Sequence, residues 1–170
     1  MSEQFFGKYR GTVINNVDPM MVGRIQAMVP AVSALLPTSW ALPCLPIAGR
    51  LQGSYFVPQI GARVWIEFEG GDPDYPIWTG CFWGLAAEVP VDALLGSTPV
   101  SPNIVLQTTL QNRLVITDLP GPLGGIVLRS LTGASIMVND TGIYINNGKG
   151  ASITLIGPAV TVNNGALTVI

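Results

Sequence analysis

The C-terminal part of this 170-residue chain repeats a short pattern in which one residue separates two aliphatic residues. From Ile126 onward six such pairs follow one another at steps of 10, 7, 10, 7 and 7 residues, and Asn, Asp or Gly follows most of them. A period of two is typical of a β-strand with one apolar face, and Asn, Asp and Gly are typical of turns. The pairs are Ile126/Leu128, Ile136/Val138, Ile143/Ile145, Ile153/Leu155, Val160/Val162 and Leu167/Val169.

Each unit of the repeat is one strand and one turn, and its inward side chains cannot form a core alone. A single chain of such strands exposes its apolar face and its strand edges, which favours aggregation. Winding three chains around one axis buries both, so the repeat predicts an obligate oligomer, most simply a trimer. Backbone hydrogen bonds then run between chains, and six layers at about 4.8 Å give a shaft on the order of 30 Å. The residues predicted to form the axial core are Ile136, Val138, Ile143, Ile145, Ile153, Leu155, Val160 and Val162.

The first half of the chain differs from the second because it holds twelve of the thirteen aromatic residues. Short extended runs separated by Gly and Pro, among them 55–57, 63–68 and 77–83, predict a small closed β-barrel. The sequence therefore predicts an all-β protein with a barrel at 1–84 and a trimeric β-helix at 104–170. Residues 85–103, rich in Pro, Ala, Ser and Val, read as a linker or crossover, in which 90–95 could hold one helical turn.

Charge is scarce in this sequence, at 11% of residues against roughly a quarter in a typical soluble domain. Membrane spanning does not explain the deficit, because polar residues, Gly or Pro interrupt every apolar run well before about 20 residues. The N-terminus has no apolar segment typical of a signal peptide, which predicts synthesis in a cytoplasm. Surface buried against other subunits is the better explanation, and a net charge of −2 argues against a nucleic-acid partner.

Metal and disulfide chemistry have few candidate residues. The chain has two cysteines, Cys44 and Cys81, and no histidine, which does not make a zinc site. We expect both thiols to be buried and reduced, although a disulfide between them stays open. No metal and no cofactor are expected.

A resemblance to a known family is carried by residues 56–80, FVPQIGARVWIEFEGGDPDYPIWTG. So many Gly and Pro residues rarely match a family pattern at the same spacing by chance. The segment resembles the OB-domain signature of phage baseplate assembly protein V and of the valine-glycine repeat spikes of type VI secretion. The start of the chain also fits, with FGKYRGTV at 6–13, Asp18-Pro19 and Gly23-Arg24-Ile25. The signature positions are Pro58, Gly61, Val64, Phe68, Gly71, Asp72, Pro73, Pro76 and Gly80.

This resemblance implies a five-stranded OB barrel followed by an intertwined trimeric β-helix, as in a prism-shaped needle. It implies a non-enzymatic homotrimer in the baseplate of a virion or phage-tail-like particle, docked on a separate trimeric hub protein and piercing the target envelope when the sheath contracts. Some short spikes of this kind end in a histidine-bearing iron site, which a chain without histidine cannot form. We expect instead a separate tip protein of the PAAR-repeat type on the apolar end, at Leu167, Val169 and Ile170.

Three other interpretations have weaker support. Asp72 and Asp74 could bind a metal, but the flanking Gly and Pro residues make a hairpin turn at Gly71-Asp72-Pro73 far more plausible. Glu67 and Glu69 could form a paired-carboxylate hydrolase site, but alternating acidic residues usually form the solvated face of a strand. OB folds also bind single-stranded nucleic acid or oligosaccharide, and this is the alternative function; it would use Trp40, Trp65, Trp78 and Trp83 as stacking platforms.

Overall fold

A computed structural model describes residues 3–98 and 100–169. The chain divides into two units, the first ending at Gly84 and the second beginning at Leu85. Each unit has its own sheet, and each is described below by itself. The protein is all-β apart from a single α-helical turn and short 3-10 turns within the described residues.

The first unit is an OB-type barrel. Its strands are β1 (Tyr9–Asn15), β2 (Gln26–Met28), β3 (Leu42–Pro43), β4 (Ala48–Gly49), β5 (Gln52–Gly53), β6 (Arg63–Phe68) and β7 (Pro76–Cys81). Five of them form one sheet in the order β2-β1-β6-β7-β3, in which β1 and β6 pair antiparallel and β3 joins β7 in parallel, while β4 and β5 form a separate two-stranded sheet. The two outer strands of the five-stranded sheet meet through the antiparallel bridge between Ile25 and Ala41, so this sheet closes on itself.

The core of the first unit follows from alternation along its strands. In β6, Val64, Ile66 and Phe68 are buried while the intervening residues are partly exposed, as a two-residue period requires. An aromatic group of Phe5, Tyr9 and Phe68 packs beside this core with ring centroids 5.7–6.0 Å apart. The buried residues are Val13, Ile25, Ala27, Val29, Ala41, Val64, Ile66, Phe68 and Trp78.

Two stretches of the first unit differ from the sequence prediction. Residues 55–57 do not form a strand; Tyr55 and Phe56 are exposed, and Val57 packs against the core from a loop. Pro58 explains this, because its missing N–H and fixed φ interrupt a strand ladder. The expectation of buried cysteines is also wrong, since Cys44 and Cys81 are both free and exposed.

The second unit consists of one antiparallel sheet, here called the meander sheet, and the segment that precedes it. The segment contains one helical turn, α1 (Val91–Leu94). The strands of the sheet in the described part of the chain are β8 (Ile104–Gln107), β9 (Arg113–Thr117), β10 (Gly125–Arg129), β11 (Ser135–Asn139), β12 (Gly142–Asn146), β13 (Ser152–Ile156), β14 (Ala159–Val162) and β15 (Leu167–Val169). These eight strands pair in strict chain order from β8 to β15.

Turn length explains the spacing of the sequence repeat. Steps of 10 residues correspond to five-residue turns, such as 130–134 between Arg129 and Ser135. The first two steps of 7 correspond to two-residue turns, such as 140–141 between Asn139 and Gly142, and the last step of 7 to the four-residue turn 163–166. These tight turns return the chain beside its own previous strand. The expectation that the backbone bonds run between chains is therefore wrong for the meander sheet, whose ladder lies within one chain.

Gly142 shows how closely the strands approach at a short turn. Its φ is +155°, and a Cβ at this position would lie 2.2 Å from the carbonyl oxygen of Leu155 on the neighbouring strand. Asn139 holds the same turn, because its Oδ1 accepts a hydrogen bond from the backbone N–H of Thr141 at 2.9 Å. Glycine and asparagine are thus required here by backbone geometry and turn bonding.

Candidate functional site

One face of the meander sheet carries aliphatic side chains on every strand, and we call it the aliphatic face. Two positions per strand contribute, and the register aligns them into two columns that cross the sheet. The first column is Ile104, Ile116, Ile126, Val138, Ile143, Leu155, Val160 and Val169. The second is Leu106, Leu114, Leu128, Ile136, Ile145, Ile153, Val162 and Leu167.

Most of this face is open to solvent in the single chain. Thirteen of the sixteen side chains are exposed, and Leu114, Ile116 and Val162 are intermediate. Neighbours in the same column cover part of each side chain, but the outward surface is uncovered. A continuous aliphatic surface of this extent is unusual on a monomer and marks an interaction site.

The opposite face of the meander sheet, here called the second face, changes character along the sheet. Its central column begins with Val105, Val115 and Val127 and ends with Thr154, Thr161 and Thr168. Val115 is buried, whereas the hydroxyls of Thr154 and Thr161 bond to each other. Only the aliphatic face is apolar across all the described strands.

The structure brings the predicted axial residues onto this one surface. All eight lie in the two columns of the aliphatic face, on strands β11 to β14. The residues predicted to contact a tip protein, Leu167 and Val169, extend the same columns onto β15, and Ile170 lies outside the described residues.

Sequence reasoning missed the first two strands of this face. Ile104/Leu106 and Leu114/Ile116 show the same alternation at a step of 10 residues. The signal was interrupted because the turn at 118–124 is longer and makes the next step 12. A search for pairs that tolerates variable turn length finds all eight strands.

The predicted signature turn Gly71-Asp72-Pro73 lies in the connection between β6 and β7. The Gly71 carbonyl accepts a 2.8 Å hydrogen bond from the Phe5 N–H, and a Cβ on Gly71 would lie 3.0 Å from the Phe6 ring. Asp72 Oδ1 accepts a 3.0 Å bond from the Asp74 N–H. The turn thus holds the N-terminal segment against the barrel, and the Asp72 carboxylate accepts its hydrogen bond from within the same turn.

A second network surrounds Asp18, whose carboxylate accepts hydrogen bonds from the side chain of Arg24 and from three backbone N–H groups. Arg24 donates from Nε at 2.9 Å and from Nη2 at 2.6 Å, and the backbone donors are Met20, Val22 and Arg24. The Arg24 bond and these N–H groups hold the pKa of Asp18 well below its ordinary value, against an opposing effect of desolvation. The network shapes the loop that leads into β2.

The four tryptophans differ in how far they could stack on a nucleobase or sugar. Trp78 is buried and donates from Nε1 to the Gly23 carbonyl at 3.0 Å. Trp65 packs on Phe82 with centroids 4.7 Å apart, and the Arg24 guanidinium lies 5.3 Å from the ring centroid of Trp40. Trp83 is exposed. Contacts within the chain therefore occupy three of the four, which weakens the stacking-platform interpretation.

The two glutamates considered as a hydrolase site, Glu67 and Glu69, lie in different local structures. Glu67 lies in β6 and pairs with Lys8 at 2.5 Å, whereas Glu69 begins the 3-10 turn after the strand. In the residues that the structure describes, no group of three or more His, Cys, Asp or Glu side chains could hold a metal. Nor does any helix among those residues have the length and apolarity to cross a membrane.

Comparison with known families assigns both units. Residues 9–83 match the family model described as the type VI secretion system/phage-baseplate injector OB domain. Residues 103–168 match the phage baseplate V C-terminal trimerisation domain. No curated protein matches the chain. With an OB barrel and a trimerisation domain in this order, the chain belongs to the phage baseplate V family of OB-fold spike proteins.

Proposed function

We propose that three copies of this chain form the central spike of a contractile-tail baseplate, which pierces the target envelope when the sheath contracts. The observation that carries this proposal is the aliphatic face, which is exposed in one chain and coincides with the part that matches a trimerisation domain. Packing three such faces around an axis removes them from water, and apolar burial is the main favourable term in association.

The axial core is proposed to include Ile136, Val138, Ile143 and Ile145 and the four residues that continue these columns on β13 and β14. Each chain supplies one complete wall of hydrogen-bonded strands, and contacts between walls are made by side chains. Such a shaft resists bending because its core is close-packed and each wall has its own backbone ladder.

The partners of this spike are proposed from its place in the family. A trimeric hub protein at the end of the tail tube would hold the OB barrels, and a PAAR-type tip protein would cover the last strand. Leu167 and Val169 support the second proposal, because both are exposed on β15, and β15 pairs only with β14 among the described strands. The spike is proposed to be non-enzymatic and to contact the target membrane only mechanically.

Light scattering on the purified chain tests the central claim. A trimer has three times the chain mass of 17.9 kDa, and it should persist on dilution. A monomer over the whole concentration range would refute the spike. For the piercing role, particles assembled with a trimer-disrupting variant should contract but fail to permeabilise target cells, whereas full permeabilisation would count against it.

A further inference from the structure

The meander sheet has two lateral edges, which consist of the turns on its two sides. Because the chain reverses direction after each strand, successive turns alternate between the edges. One edge, here called the basic edge, contains the turns 108–112, 130–134, 147–151 and 163–166. The other, here called the acidic edge, contains the turns 118–124, 140–141 and 157–158.

The few charged side chains of this sheet are divided between the edges by sign. Arg113 and Arg129 occupy strand ends at the basic edge, and Lys149 lies in one of its turns. Asp118 and Asp140 lie in turns of the acidic edge. Residues 104–169 contain no other charged side chain. Each edge therefore carries charge of one sign only.

Four of these five charges have no ion-pair partner in their own chain. Arg113 pairs with Asp92 of α1. The other four are exposed and make no ion pair among the residues that the structure describes. Hydrogen bonds from the Ser101 hydroxyl and the Gly121 N–H hold the two carboxylates of the acidic edge. A carboxylate that accepts one such bond still has capacity for a cationic partner.

A three-fold axis brings unlike edges together. In the proposed trimer the three sheets turn their aliphatic faces to the axis and run in the same direction along it. Each corner then joins the basic edge of one copy to the acidic edge of the next, which is a head-to-tail contact that closes into a ring. Five-residue strands make a sheet about 17 Å wide, and three such sheets lie about 5 Å from a common axis, half of the ~10 Å between stacked sheets.

Charges of opposite sign also lie at similar heights along this axis. Asp118 lies in the turn before β10, and Arg129 ends β10. Asp140 lies in the turn before β12, and Lys149 lies in the turn after it. Neighbouring strands are about 4.8 Å apart, so the members of each pair differ in height by no more than about one strand spacing. Within one chain they are at opposite ends of the strand, so pairing requires a second copy.

We infer that ion pairs between copies close each corner of the trimer, with Arg129 and Lys149 of one copy facing Asp118 and Asp140 of the next. This inference rests on the proposed homotrimer and assigns its lateral contacts. Exposed ion pairs contribute little free energy each, but complementary charge fixes which surfaces meet and in what register. The edges thus set the alignment of three sheets that the aliphatic face holds together.

Reversing the charge of one edge, and then of both, tests the inference in the full-length protein. Arg129→Glu with Lys149→Glu reverses the basic edge, and Asp118→Lys with Asp140→Lys reverses the acidic edge. At low salt each pair of changes should raise the dissociation constant of the trimer at least about tenfold, because like charges then meet at all three corners. The chain with all four changes should return to within about threefold of the wild type, since unlike edges meet again.

The fourfold variant separates edge pairing from local damage. If its dissociation constant rises by the product of the two single-edge effects, the edges do not face each other and the inference is overturned. Circular dichroism checks that each variant keeps the wild-type strand signal. A wild-type chain that is not a trimer refutes the proposed function itself, whereas a trimer that charge reversal leaves unchanged refutes only the edge contacts.

Carbodiimide crosslinking of the wild-type trimer gives a second test that does not depend on the charge-reversed variants. This reagent joins an amine to a carboxylate in direct contact, and the chain has two lysines, Lys8 and Lys149. A denaturing-gel band at twice the chain mass should appear and should be abolished by Lys149→Gln. Lys8→Gln should leave the band unchanged, because Lys8 pairs with Glu67 of its own chain. Absence of the band, or its persistence in Lys149→Gln, overturns the inference.

Discussion

Ile145→Ala should weaken the trimer much more than a change of similar size on the second face. Ile145 lies in the second column of the aliphatic face between Ile136 and Ile153 and is 40% exposed in the single chain. Its own sheet therefore already covers about 60% of it, and the proposed trimer covers the rest. A fully buried Ile→Ala change costs about 2–5 kcal/mol.

Only the part of this cost that comes from contacts with the other two chains weakens the association of the trimer. Two-fifths of about 2–5 kcal/mol is about 1–2 kcal/mol per chain, or about 3–6 kcal/mol per trimer. At about 1.4 kcal/mol per factor of ten, the dissociation constant of the trimer should rise about 10²- to 10⁴-fold. The remainder of the cost destabilises the sheet itself and lowers the melting temperature.

Light scattering over a dilution series measures the first effect, and thermal unfolding followed by circular dichroism measures the second. Thr154→Ala is the matched control, because Thr154 lies on the neighbouring strand but on the second face, where its hydroxyl bonds to that of Thr161. The control should cost no more than about 1 kcal/mol. If Ile145→Ala dissociates and melts like the control, the aliphatic face does not lie in the trimer core.

Three further changes test parts of the fold. Gly142→Ala should destabilise the meander sheet by more than about 3 kcal/mol in urea unfolding, because the added Cβ would clash with a carbonyl oxygen. The control Gly157→Ala, where the space is open and φ is +55°, should cost about 1 kcal/mol. Equal costs for the two variants would contradict the close approach of the strands at Gly142. Trp78→Phe should cost about 1–3 kcal/mol, since it leaves the buried carbonyl partner of Nε1 unpaired, and an unchanged urea midpoint would be inconsistent with that bond. Asp18 has a folded-state pKa below its ordinary value of 3.8, so its contribution is complete above that value and is lost as the pH falls below it. Asp18→Asn should therefore lower the melting temperature equally at pH 7 and pH 5 and by less at pH 3, and a constant difference across this range would argue against the ionised network.

Much of the fold could be predicted from sequence because local pattern and global fold agree. The alternation of aliphatic pairs and the Asn and Gly turns were sufficient to predict short strands with one apolar face. The pairing partner of each strand was not predictable from alternation alone, because the same pattern satisfies hydrogen bonding within a chain or between chains. Turn length decides between them, and the two-residue turn at 140–141 leaves no room for a crossover to another chain.

The polar contacts of the first unit were harder to foresee. Asp18 and Arg24 lie in segments that fit the family pattern at the start of the chain, but nothing in the sequence shows that one carboxylate accepts hydrogen bonds from several N–H donors of its own loop. The same holds for Asp92 and Arg113, which stand 21 residues apart and meet only once the segment before the sheet folds back on it. Side-chain pairs of this kind depend on tertiary structure and leave no periodic signal.

The low charge of the chain also bears on which face of the meander sheet must lie inside a trimer. A trimer that buries one face of the sheet needs that face to be apolar on every strand, because polar side chains on any one strand would leave unpaired hydrogen-bonding groups in the core. The second face fails this condition from Tyr144 onward, where hydroxyl side chains replace Val and Met in the central column. The aliphatic face meets it on each described strand, since Val and Thr have similar shapes but only Val can face a dry axis. A trimer that buries the aliphatic face and exposes the hydroxyls needs few surface charges, which is the composition that this sequence has.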